Sequence, residues 1–161
     1  MLRAGKIDIV APGGGPGLHV VRLRALPEGF EELAADATGD GVRLLDVLRQ
    51  DWRDGTLRFD QPGEVLFAAT AGPSLLGICG LTRDPYAKAE GLGRVRRLYV
   101  RRAARRGGAG RALLEAVAEA AGERGYQCLR VRSPVSAFAF YERCAFLRAV
   151  GEASATHMRQ L

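Results

Sequence analysis

The sequence predicts a single α/β domain, and three features carry the prediction. Short stretches rich in β-branched and aromatic residues alternate along the chain with stretches whose apolar residues recur at helical spacing. The chain has 161 residues, enough for one sizeable core. An arginine-rich glycine turn, residues 105–111, joins one of these strands directly to one of these helices.

In chain order, residues 1–18 close with Ala11-Pro12-Gly13-Gly14-Gly15-Pro16-Gly17 and offer little to a core, so they are expected to be a flexible tail before a domain spanning 19–161. Residues 19–26 alternate as a first strand. Pro27 opens a helix to about Ala37 with Phe30, Leu33 and Ala34 on one face, and residues 42–52 repeat the pattern through Leu44, Leu45, Val47 and Leu48. Trp52 at its end reads as core or rim packing. Residues 64–71 and 74–82, separated by Gly72-Pro73, form a hairpin apolar on nearly every position, as expected of strands covered on both faces. A polar connection leads to a strand at 94–101. The helix at 108–124 turns Leu113, Leu114, Val117, Ala120 and Ala121 inward, and Gly125 ends it. Residues 126–132 form a strand, Pro134 starts a helix over 135–144, and a strand pair near 146–150 and 155–161 closes the chain.

Net charge is +6, from 22 arginines and two lysines against 18 acids, with eight arginines and no acid between Glu90 and Glu115. Such a cluster suits either a nucleic-acid surface or a pocket for one polyanionic ligand. The glycine turn and the lack of interleaved exposed aromatics favour the pocket, so nucleic acid is not the expected partner. No apolar run is long enough for a membrane span, and the N-terminus lacks the apolar core of a signal peptide. Cys79, Cys128 and Cys144 lack metal-type spacing, so no metal is expected and a reducing cytoplasm is the expected location.

A glycine-rich helix start presents unpaired backbone N–H groups and the positive end of a helix dipole, which together favour a bound phosphate. A P-loop requires Lys and then Ser or Thr after its last glycine, where this chain has Arg111-Ala112. The dinucleotide fingerprint fails at Leu113, where its third glycine belongs. What fits is Arg105-x-x-Gly108-x-Gly110 after the strand ending Leu98-Tyr99-Val100. Some 30 residues on, Ala137, Phe138, Phe140, Tyr141 and Phe146 fall in the string AFAFYERCAF.

The first motif resembles the acetyl-CoA signature of the GNAT superfamily of N-acyltransferases, R/Q-x-x-G-x-G/A. The second resembles the A-x-x-F/L-Y-E-x-x-G-F string that closes that domain. The resemblance implies a mixed, mostly antiparallel sheet of six to seven strands with about four helices, and a V-shaped cofactor cleft between its two central parallel strands. It implies an acyltransferase that passes an acetyl group from the cosubstrate acetyl-CoA to a primary amine; a coenzyme-binding sensor without turnover is the alternative. Leu98, Tyr99 and Val100 would flank the pantetheine arm. The N–H groups of Arg106, Gly107, Gly108, Ala109, Gly110 and Arg111 would hold the pyrophosphate, helped by the guanidinium of Arg105 or Arg106. Tyr141 stands where the family places the acid that protonates the leaving thiolate. The strand glutamate that serves many relatives as a base is replaced by Arg96 and Arg97, which leaves Asp84, His157 and, more weakly, Glu64 as base candidates. Ala145 replaces a glycine, and Pro134 an asparagine whose cofactor contact Ser133 or Ser136 would take over. Relatives are often homodimers.

Overall fold

A computed structural model describes residues 17–161, so most of the expected tail lies outside the described residues. Its elements are β1 (Leu18–Leu23), α1 (Phe30–Gly39), α2 (Leu44–Asp54), β2 (Val65–Ala71), β3 (Ser74–Arg83), β4 (Leu92–Val100), α3 (Ala109–Glu123), β5 (Cys128–Val131), α4 (Phe138–Arg143), β6 (Leu147–Arg148) and β7 (His157–Gln160). The strands form one sheet in the order β1-β2-β3-β4-β5-β7-β6. Every neighbouring pair is antiparallel except β4 with β5. That exception follows from α3, whose length carries the chain back across the sheet as a parallel crossover requires. This is the mixed, mostly antiparallel sheet with four helices that the sequence leads one to expect.

The departures are local. The helix expected from Pro27 begins at Phe30, because Gly29 turns left-handed at φ 86° and the Phe30 N–H donates to the Pro27 carbonyl. The single helix expected after Pro134 divides into a 3-10 turn, Val135–Ala137, and the short α4. The closing pair forms, but β7 lies between β5 and the two-residue β6.

The sheet has a core on each face. Leu81, Val95, Leu129 and Val131 meet Leu113, Leu114, Val117 and Ala121 of α3, together with Tyr141 and Phe146. On the opposite face Leu66, Ala68, Ile78 and Tyr99 meet Phe30, Leu33, Leu45 and Leu48 of α1 and α2, with Trp52 half-buried at the rim. Burial on both faces explains the unbroken apolar runs of β2 and β3.

Two irregularities of β4 shape the site. Ile78 pairs with Tyr99 and Gly80 with Arg96, so Arg97 and Leu98 together oppose the single residue Cys79. This is a β-bulge, and Arg97 takes the left-handed conformation at φ 56° to make it. Beyond the bulge, Tyr99 faces the α1 and α2 core while Leu98 and Val100 face α3. The pairing of β4 with β5 runs from Leu92 with Cys128 to Arg94 with Arg130 and stops there. From Val95 to Val100 the β5 edge of β4 has no strand beside it, which opens the expected V between the two parallel strands.

Candidate active site

After Val100 the chain makes a 3-10 turn, Arg102–Ala104, and then enters α3. Arg106 sits at φ 67° and Gly108 at φ 89°, with no positive φ at Gly107 between them. Alternating backbone handedness of this kind gathers successive N–H groups into a concavity for an anion. The first helical bond of α3 runs from the Ala112 N–H to the Gly108 carbonyl. Among the described residues, the six N–H groups from Arg106 to Arg111 donate to no other backbone group. A run of unpaired donors at the positive end of a fifteen-residue helix suits a diphosphate. The six residues singled out from the sequence therefore do lie together.

Two members of the motif act differently from expectation. A Cβ on Gly110 would stand 3.1 Å from the Phe140 ring and 3.5 Å from Val100, so its missing side chain makes room for α4 as well as for a ligand. The Arg105 guanidinium donates at 2.7 Å to Asp40 and at 3.1 Å to the Val100 carbonyl, and it lies over the Tyr99 ring at 5.4 Å. Nearby, Asp36 of α1 accepts from the Tyr99 hydroxyl at 2.6 Å and from the Arg102 N–H at 3.0 Å. Those bonds hold the Asp36 carboxyl below its usual range, while burial and Asp36 push the Tyr99 phenol up to about 12. Two acids of the α1 end thus fasten the end of β4 and the start of the turn. Arg106 and Arg111 are exposed beside the cradle. Ser136 is also exposed, in the 3-10 turn before α4, while the Ser133 N–H donates to Thr156.

Tyr141 lies on the α3 face, edge-on to Phe140 and Phe146. Burial is the main influence raising its phenol above the ordinary value near 10, so the proton stays on at neutral pH. Tyr99 and Tyr126 donate to Asp36 and to the Gly63 carbonyl, whereas the Tyr141 hydroxyl makes no such bond among the described residues.

The base candidates are dispersed. His157 is fully buried, with Nδ1 3.0 Å from the Thr156 hydroxyl and Nε2 3.4 Å from Glu142. Its ring packs edge-on against Phe138 and stacks on Tyr141 at 6.0 Å. Asp84 lies on the other face of the sheet, its side chain fully buried against Arg94 at 3.4 Å and Arg130 at 3.2 Å, and its second oxygen accepts the Tyr86 N–H. Glu64 lines an open pocket of about 360 Å³ together with Arg96, Arg83 and Tyr86. That pocket escaped the sequence reading. Its signal was the alternation of Arg94 and Arg96 about Val95, which puts both arginines on the face away from α3.

Of the eight arginines between Glu90 and Glu115, four are ion-paired: Arg94 with Asp84, Arg97 with Asp51, Arg102 with Asp36 and Arg105 with Asp40. Much of the basic cluster is therefore neutralised within the fold. No helix among the described residues is long and apolar enough to cross a membrane.

The Acetyltransferase (GNAT) family model matches residues 27–146. No curated protein matches the chain. Among solved structures, a candidate acetyltransferase from Exiguobacterium sp. 255-15 is 26% identical, with a TM-score of 0.78 over 89% of this chain and 93% of that one. The PaiA N-acetyltransferase of Thermoplasma acidophilum, solved in complex with coenzyme A, is 16% identical, with a TM-score of 0.61 over 88% and 99% of the two chains. A GNAT-family acetyltransferase from Staphylococcus aureus Mu50 is 15% identical, with a TM-score of 0.67 over 88% and 99%. The last two likenesses concern the fold.

Proposed function

Because the chain belongs to the GNAT acetyltransferase family, we propose that it transfers an acetyl group from acetyl-CoA to a primary amine by direct attack. The observation that carries this reading is the run of unpaired N–H groups over residues 106–111, set beside the edge that β4 presents after parting from β5. Those groups hold the pyrophosphate, and Arg106 adds charge beside them. Backbone groups of Leu98 and Val100 take the pantetheine arm as an added strand, and one of their N–H groups polarises the acyl carbonyl. Acetyl-CoA supplies the thioester, whose C–S bond breaks as the amine nitrogen bonds to the carbonyl carbon.

Tyr141 gives its proton to the departing sulfur and regains one from the nitrogen, which keeps the step balanced. The proton that must first leave an ammonium goes to water or to Glu64, the base candidate that faces an open pocket. The ionic and aromatic partners of Asp84 and His157 favour structural roles for both. Calorimetry with acetyl-CoA and coenzyme A, followed by thiol release against a panel of amines, tests the reading. Binding with amine-dependent release supports it. Binding without release points to the sensor alternative, and no binding removes both.

A further inference from the structure

Resting on the acyl-transfer reading, we propose that the amine acceptor carries a carboxylate and that Arg96 holds it, which makes a free amino acid or a similarly small carboxylated amine the substrate class. The pocket of about 360 Å³ lies on the sheet face away from α3, between the end of α2 and the end of β3, with Arg96, Arg83, Thr82, Tyr86, Glu64 and Asp51 in its wall. That volume sits at the small end of the range for ligand sites, about 300–1,000 Å³.

Two arginines and two acids line this wall, but Asp51 is already paired with Arg97. Arg94 and Arg97, the neighbours of Arg96 on β4, each have an acid, Asp84 and Asp51 respectively. Arg96 has no ion pair among the described residues and donates only to the Thr82 hydroxyl, at 3.3 Å. It is half-buried, and burial first, then the charges of Arg97 and Arg94, disfavour its cation, while Asp51 favours it. A partly dehydrated guanidinium with its fork free is matched by a carboxylate, which it grips through two parallel bonds. A polyamine would instead bring like charge to it.

Position supports the assignment. Arg96 lies two residues before Leu98, on the other side of the bulge at Arg97, less than the roughly 7 Å two residues span when fully extended. The reacting segment is therefore within a small molecule's length of the guanidinium. Glu64, whose Oε1 accepts the Gln61 N–H at 3.2 Å, offers the opposite charge in the same wall. A guanidinium and a carboxylate sharing one small pocket match the two charged ends of an amino acid.

The test pairs each standard L-amino acid with its α-carboxamide and uses two readouts: thiol release with acetyl-CoA, and ligand-observed NMR binding to the coenzyme A-loaded protein. The acids should outperform their amides, and Arg96→Gln should weaken the preferred acid roughly 10- to 100-fold, the scale of hydrogen bonds to a charged group. Arg96→Lys should recover part of that loss, with acetyl-CoA affinity unchanged in both variants as the check on folding. Amides that match the acids in the wild-type protein, a preference that survives Arg96→Gln, or no binding by any member of the panel overturns the assignment. Selective binding of acids that needs Arg96, without thiol release, upholds it and refutes acetyl transfer instead.

Discussion

Tyr141→Phe removes one oxygen from the site and little else. The ring remains between Phe140, Phe146 and His157. Because the hydroxyl has no hydrogen-bond partner among the described residues, its loss should change stability by no more than about 0.5 kcal/mol. For a chain of this size that is at most about 2 °C in Tm. Acetyl-CoA affinity should also hold, since the cradle lies in another segment. If Tyr141 delivers the proton to the thiolate, kcat should fall by roughly 10²–10⁴, the usual worth of a positioned general acid. Stopped-flow thiol release under saturating substrates measures that fall, with calorimetry and a thermal melt as companions.

The raised phenol adds a second signature, because an acid that keeps its proton leaves wild-type kcat without a decline as pH passes 10. The sign for stability is the reverse. The unfolded chain ionises this tyrosine above pH 10 while the fold resists, so its contribution is complete below pH 10 and is lost as pH rises toward the folded value. An unchanged kcat in Tyr141→Phe would refute the acid role. A fall in kcat matched by a large drop in Tm would assign the residue to packing.

Gly108→Val should lose roughly tenfold or more in acetyl-CoA affinity by calorimetry, because a branched side chain at φ 89° distorts the cradle at a cost of about 1–3 kcal/mol; an unchanged Kd would contradict the phosphate role of the turn. Asp84→Asn should destabilise the protein by about 3–5 kcal/mol, because it leaves the buried Arg94 and Arg130 without their shared acid. The melt should show that as a fall of at least about 6 °C, and a normal Tm with a shifted pH–rate profile would restore Asp84 as a base. Ala145→Gly should raise stability by about 1 kcal/mol in denaturant unfolding, because this exposed alanine is held at φ 66° where a glycine is unstrained; no gain would mean the turn is not strained.

The glycine turn and the aromatic string were readable before any fold was known because each depends on backbone geometry within a few residues. Gly108 at positive φ, the unpaired start of α3 and Ala145 at the end of α4 are consequences of that kind. The apolar runs of β2 and β3 were equally plain, since burial on both faces leaves no polar alternation to confuse them. Boundaries proved less legible where a turn residue intervened, as at Gly29 before α1 and in the 3-10 turn before α4.

What the linear order could not express is which charges meet. Arg105 carries the family signature, yet its guanidinium goes to Asp40, 65 residues earlier, and Tyr99 reaches Asp36 across 63. The bulge at Arg97 and Leu98 exists only because β3 is there to be mismatched, and it decides which side chains of β4 face each core. The unpaired state of Arg96 likewise emerges only once Asp84 and Asp51 have been taken by its neighbours. Backbone conformation is a local property and can be read from neighbouring residues, whereas the partner of a charge is settled by packing across the whole sheet.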